Sequence, residues 1–173
     1  MSSVASTKQP PPTQPRLGGE ALVETIDGPV EIIRLVGKSI PVLTRLPNGA
    51  LGFRMMREVR EVESAGPLLE VTNDDGQTVR VGRDHVFVRR DGTDVKAANL
   101  VVGDRLDVGW SYPEGYAPPD TPEYSPVARG LPWQRSVCIS RVEEVDPAPL
   151  FGCTVNETRS FFLTFGARSR AQV

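Results

Sequence analysis

Residues 76–106 read GQTVRVGRDHVFVRRDGTDVKAANLVVGDRL. Valine alternates with polar side chains across TVRV, a second apolar run follows in HVFVRR, and Asp91-Gly92 closes that run with a dipeptide suited to a tight turn. A two-residue period sends alternate side chains to opposite faces of a strand, and glycine tolerates the positive φ that a short hairpin demands. The stretch predicts short antiparallel strands joined by tight turns, each with one face toward a core.

The same grammar extends in both directions. Asp27-Gly28, Asn48-Gly49 and Asp75-Gly76 punctuate EALVET (20–25), VEIIRL (30–35), SIPVLTRL (39–46) and LLEVTN (68–73), all rich in β-branched and aliphatic residues. Near the end, β character returns in SVCISRVEEV (136–145), at 149–155 and at 160–164. The stretch Phe53–Glu63, FRMMREVREVE, is ambiguous, because Met55, Met56, Val59 and Val62 fall at helical spacing. It leads through Gly66-Pro67 into another strand with no capping signal, so a strand is expected there. The fold class is all-β, with no confident helix.

Two segments stand outside this pattern. Met1–Arg16 (MSSVASTKQPPPTQPR) has too little apolar surface to offset its ordering entropy and is expected to be a flexible arm ahead of a single domain at 17–173. Residues 109–134 carry repeated prolines, which remove backbone donors and exclude a central strand, so they form a long loop. Trp110, Tyr112, Tyr116, Tyr124 and Trp133 give that loop large amphipathic groups, suited either to anchoring a protein partner or to pinning the loop on the domain.

Composition excludes several functions. Twenty Lys and Arg against 22 Asp and Glu give a net charge of -2, and no run of one sign forms a nucleic-acid or anionic-membrane footprint. No apolar stretch reaches the roughly 20 residues that span a bilayer, and Met1–Pro15 lacks the apolar core of a signal peptide. Cys138 and Cys153 are the only cysteines and His85 the only histidine, without short-spaced ligand pairs, so neither a metal site nor a cofactor is expected. One histidine with scattered serines offers no triad spacing, and Glu143-Glu144 and Asp74-Asp75 read as solvated strand and turn residues.

Three blocks taken in order resemble the Hint (hedgehog/intein-type) family: Gly19–Leu35, with its alternating strand and Gly turn; Gly76–Leu106, with His85 where that family has a Thr-x-x-His signature; and PLFGCTVNETRSFF (149–162), similar to the late paired-strand block. The resemblance implies a horseshoe or disc of many short antiparallel strands. It also implies self-cleavage, which begins when a first-position Cys or Ser attacks the preceding carbonyl. By that resemblance the first position is Arg16, and Gly82 stands where the Thr of Thr-x-x-His would be. Arg159 replaces the late-block histidine, and Arg170-Ala171 replaces the terminal His-Asn.

A degenerate, catalytically inactive member is therefore expected, one that is not an enzyme and serves as a structural or protein–protein interaction module. Its arm and its loop at 109–134 are the expected contact elements, in a multi-copy assembly such as a virion component, and the location is cytoplasmic or virion-associated. The alternative is autoprocessing through Cys153, which lies within a residue of the nucleophile used by inteins lacking the first one; those inteins place a Trp where this chain has Phe87. Cys153 is read instead as buried strand filling, and His85 as a vestigial residue that hydrogen-bonds strand ends. A remnant of a toxin-release element ranks third.

Overall fold

The computed structural model describes residues 14–64, 66–108 and 137–171. Fourteen strands run through them: β1 (Leu17–Gly18), β2 (Leu22–Thr25), β3 (Gly28–Glu31), β4 (Ile40–Arg45), β5 (Leu51–Val62), β6 (Leu68–Asn73), β7 (Thr78–Val81), β8 (Val86–Val88), β9 (Asp94–Lys96), β10 (Arg105–Leu106), β11 (Val137–Val145), β12 (Leu150–Val155), β13 (Ser160–Leu163) and β14 (Ala167–Arg170). Two 3-10 turns, Ile32–Leu35 and Ala97–Asn99, are the only helical pieces among the described residues. All-β is the architecture, as the alternation and the turn dipeptides predict.

The strands form one antiparallel sheet in the order β10-β11-β6-β7-β1-β12-β5-β4-β2-β13-β14-β8-β9, with β3 paired to β2. The sheet curls on itself. β10 pairs β11 on one side, while on the other Arg90 N–H donates to the Arg105 carbonyl (2.9 Å) and Asp107 N–H to the Val88 carbonyl (2.9 Å). Curling leaves few open edges, and those that remain are blunted by Pro29 on β3 and by the exposed Asp94 and Lys96 on β9.

All four Asp/Asn-Gly pairs fall at strand-to-strand turns. At Gly76 (φ 81°) and Gly92 (φ 90°) the backbone lies in the left-handed region, where a Cβ would be strained. The core gathers the inward residues of each strand, including Leu17, Val23, Val42, Met56, Val71, Val81, Phe87, Phe151 and Phe161. Phe87, Phe161 and Phe162 are fully buried, and each contributes about 1.5–3 kcal/mol by leaving water.

Residues 53–62 belong to β5, and the helical spacing there has a local cause. The pairing of β12 with β5 shifts between Gly152 and Thr154, opposite Arg60 and Arg57, and Glu58 inside the shift has φ 55°. This bulge inserts one residue and reverses the strand's phase, so Met56 and Val59 both face the core three residues apart. No helix of the described residues is long and apolar enough to cross a membrane. Trp110, Tyr112, Tyr116, Tyr124 and Trp133 lie outside the described residues, as does the arm up to residue 13.

Candidate functional site

The site forms where β1 is inserted between β7 and β12. Leu17 pairs with Val81 on one side and Phe151 on the other, and Gly18 pairs with Leu150. Gln14–Arg16, read from sequence as the end of the arm, continue this line into the domain. The Arg16 carbonyl accepts the Gly82 N–H at 2.8 Å, and Arg16 N–H donates to His85 Nδ1 at 2.9 Å. The Arg16 guanidinium extends along the same groove, Nη1 donating to the Glu63 carbonyl at 2.8 Å.

His85 is fully buried and held by its own backbone, its N–H donating to the Gly82 carbonyl (3.1 Å) and its carbonyl accepting from Ala97 (2.7 Å). Its ring meets Phe87 edge-on, with centroids 4.7 Å apart. A backbone amide can only donate, so Nδ1 must carry the lone pair and the ring proton sits on Nε2, which donates to Ser169 Oγ at 2.9 Å. Burial, and secondarily the Arg16 charge, push the His85 pKa down to about 3. At neutral pH the ring is uncharged and both nitrogens are engaged.

Two glycines border the entering strand. A Cβ on Gly82 would lie 2.9 Å from Leu150 Cδ1 and 3.1 Å from Arg16 Cβ. A Cβ on Gly152 would lie 2.9 Å from the Pro15 carbonyl oxygen and 3.0 Å from Gln14 Cγ. Gly82 thus does more than lack a hydroxyl, because the Arg16 stem occupies the space its side chain would need. Gly82→Thr is expected to destabilise the domain by about 1–3 kcal/mol through overpacking. Adding Arg16→Gly, which removes the whole stem, is expected to return part of that loss. A double-mutant cycle in urea would read the coupling, and strictly additive losses would show that Arg16 does not compete for the space.

On β12 the side chain facing Pro15 belongs to position 152, while Cys153, one residue on, is fully buried in the hydrophobic core. Burial pushes the Cys153 thiol far above its usual range. Cys138, on β11, is separated from β12 by β6, β7 and β1, and both thiols are free. At the far end, Ala171 is buried, and its N–H donates to the carbonyl of Arg159, which has φ 53°. Arg170 Nε pairs with Asp94 at 3.0 Å. Among the described residues no group of three His, Cys, Asp or Glu is placed to hold a metal ion.

Two features escape sequence reading. Ser169 is one: it is fully buried against His85, yet it is one hydroxyl among many, and only the pairing of β14 with β8 brings the two together. The other is an ion triad in which Arg45 donates twice to Asp107 (Nε–Oδ2 3.0 Å, Nη2–Oδ1 2.8 Å) and Arg168 Nε stands 2.9 Å from Oδ2. Arg45 also lies over the Phe162 ring, 5.8 Å from its centre. The carboxylate pairs face solvent on strand and turn, as read, and find partners at the surface. Glu143 pairs with Arg141, Glu144 with Arg83, and Asp74 accepts the Cys138 N–H.

No protein-family profile and no curated protein matches the chain. Solved structures do. A variant of the Ssp DnaB mini-intein superposes with a TM-score of 0.70 at 16% identity, covering 94% of this chain and 96% of its own. The gp41-1 intein gives 0.58 at 18% identity, over 90% of this chain and 98% of its own. A bacterial intein-like domain from Clostridium thermocellum gives 0.62 at 17%, over 91% and 98%. Coverage of nearly the whole of both chains, with the strand order above, identifies the architecture: this chain carries the Hint/intein-like fold.

Proposed function

We propose that this Hint-fold domain is a non-cleaving scaffold that grips its entering strand and works through protein–protein contact. One observation carries the reading. At the three places from which a bond could be attacked, the chain offers a guanidinium at Arg16, no side chain at Gly152 facing Pro15, and a methyl at Ala171. None of these can form an ester or thioester, or cyclise. His85 supports the same reading. With a pKa near 3 it holds no ring proton to spare at neutral pH, so it orders the strand and does not protonate a departing nitrogen. Cys153, the rival nucleophile, is kept as a thiol by its burial and faces the core.

In this reading the segment before Gln14 and the loop at 109–134 supply the contact surface, with Trp110, Tyr112, Tyr116, Tyr124 and Trp133 as anchors. A multi-copy assembly, such as a virion, is the setting it fits, by fold-level analogy. The test compares the full chain with one beginning at Gln14. Intact-mass spectrometry across a pH series, with and without hydroxylamine, is expected to show one uncut species near 18.9 kDa for the full chain. Light scattering is expected to show weaker association for the shortened chain, with its melting temperature retained. A fragment or acyl adduct would overturn the non-cleaving half of the proposal, and unchanged association the contact half.

A further inference from the structure

We infer that Ser169 is a positioning residue: by accepting the Nε2 proton of His85 it holds the imidazole in the orientation whose Nδ1 clamps the strand entering at Arg16. The inference rests on the scaffold reading above and adds how the grip is set. It is carried by geometry alone. The ring lies between Arg16 N–H at 2.9 Å from Nδ1 and Ser169 Oγ at 2.9 Å from Nε2, with both side chains fully buried.

A neutral imidazole has two tautomers, and the site treats them unequally. With the proton on Nε2, both contacts are made, Ser169 accepting and Arg16 donating. With the proton on Nδ1, two N–H groups confront each other and the Arg16 amide is left buried without an acceptor, a loss of about 1–3 kcal/mol. The Arg16 amide thereby sets the tautomer, since a serine hydroxyl can accept from Nε2–H or donate to a bare Nε2, and the task of Ser169 is to anchor the ring at Nε2, which a methyl cannot do. Removing the hydroxyl leaves the Nε2 proton without a partner and narrows the gap between the clamped and released arrangements. Because Ser169 belongs to β14 and Arg16 leads into β1, the last strand and the first are joined through one ring.

The same geometry shows what Ser169 is not. Its hydroxyl receives a proton from His85, so the imidazole does not act as its base, and the whole ring separates it from the Arg16 nitrogen. Ser169 is not placed as a nucleophile on the Pro15–Arg16 bond.

The experiment reads the imidazole nitrogens by long-range proton–nitrogen NMR on the full chain, together with hydrogen exchange at the Arg16 amide. His85 is the only histidine, so the signals are unambiguous. The wild type is expected to show the Nε2–H tautomer throughout the neutral range and a protected Arg16 amide. Ser169→Ala is expected to leave the Nε2–H tautomer in place, to move the Nε2 resonance as its hydrogen bond is lost, and to speed Arg16 exchange about tenfold relative to the β2 amides, the size of one lost hydrogen bond. Ser169→Thr, which keeps the hydroxyl, is expected to restore the resonance and the slow exchange.

A wild-type Nδ1–H tautomer would overturn the inference. So would a Ser169→Ala chain whose Nε2 resonance and Arg16 exchange are unchanged, or one in which exchange rises uniformly over the sheet, since that marks a packing role only. If Ser169→Ala fails to fold, the wild-type tautomer and Ser169→Thr still decide. None of these outcomes involves chain cleavage, so the clamp and the scaffold reading fail separately.

Discussion

Lowering the pH from 7 to 4 is expected to cost the domain about 3 kcal/mol of stability through His85 alone. The imidazole is buried without charge, and burial brings its pKa from 6.5 down to about 3. Unfolding exposes it and restores the ordinary value, so between these two pH values the unfolded chain binds a proton that the folded chain refuses. Stability rises with pH wherever the unfolded state holds more protons. The contribution is therefore complete above roughly pH 7 and is lost as pH falls through 6.5 toward 3. Protonation would also set a ring N–H against the Arg16 amide, so the first local consequence is release of the entering strand.

With a single histidine in the chain, the slope between pH 5 and 7 has a defined source. His85→Asn offers an acceptor oxygen to Arg16 and does not titrate there. Urea unfolding at a series of pH values should give a flatter profile for His85→Asn than for wild type across this window. A fall of 3 kcal/mol corresponds to a drop in melting temperature on the order of 10 °C. Parallel profiles for the two proteins would mean that the ring is solvated or paired in the folded state, and the clamp would have no basis.

How far this site is legible from sequence depends on what kind of fact each residue carries. His85 is legible as the only imidazole, and Arg16, Ala171 and Gly82 as departures from an expected pattern. Ser169 is not legible, because hydroxyls are common and its partner lies 84 positions earlier on a neighbouring strand. Gly82 and Gly152 read in sequence as absences, whereas their surroundings give them a use: each provides the space in which residues 14–16 lie against the sheet.

The strands were legible where turn dipeptides bound an alternating run, since both signals are local. β5 was legible as a strand only through its lack of a capping signal, because one residue inserted at Glu58 turns a period of two into a spacing of three, the signature of a different element. The arm boundary shows the same limit. Gln14–Arg16 are compositionally arm yet lie against the sheet ahead of β1, because Gly82, His85 and β12 supply the hydrogen bonds and cover that their own sequence does not announce.

Asp107→Asn is expected to destabilise the domain by about 3 kcal/mol or more, the largest effect of a polar substitution here. Asp107 and Arg168 side chains are each 12% exposed and Arg45 is 27% exposed, so solvent screens this group far less than the surface pairs. Two guanidiniums share one carboxylate, and burial already holds the Arg168 pKa below its ordinary value. Neutralising the carboxylate leaves Arg45 and Arg168 facing each other across a half-dry space, and the penalty is the stranded charge more than the lost pairing. The site ties β4, β14 and the segment after β10 together, where Asp107 also closes the sheet through its backbone to Val88 and Arg168. Arg168→Met in the Asp107→Asn background removes one of the opposed charges at similar volume, and it should recover a measurable part of the loss. Equilibrium unfolding in urea at low and high salt separates the explanations. Stranded charge predicts recovery in the double variant and partial relief by salt, whereas an unchanged deficit in both would place the effect in packing around Phe162 instead.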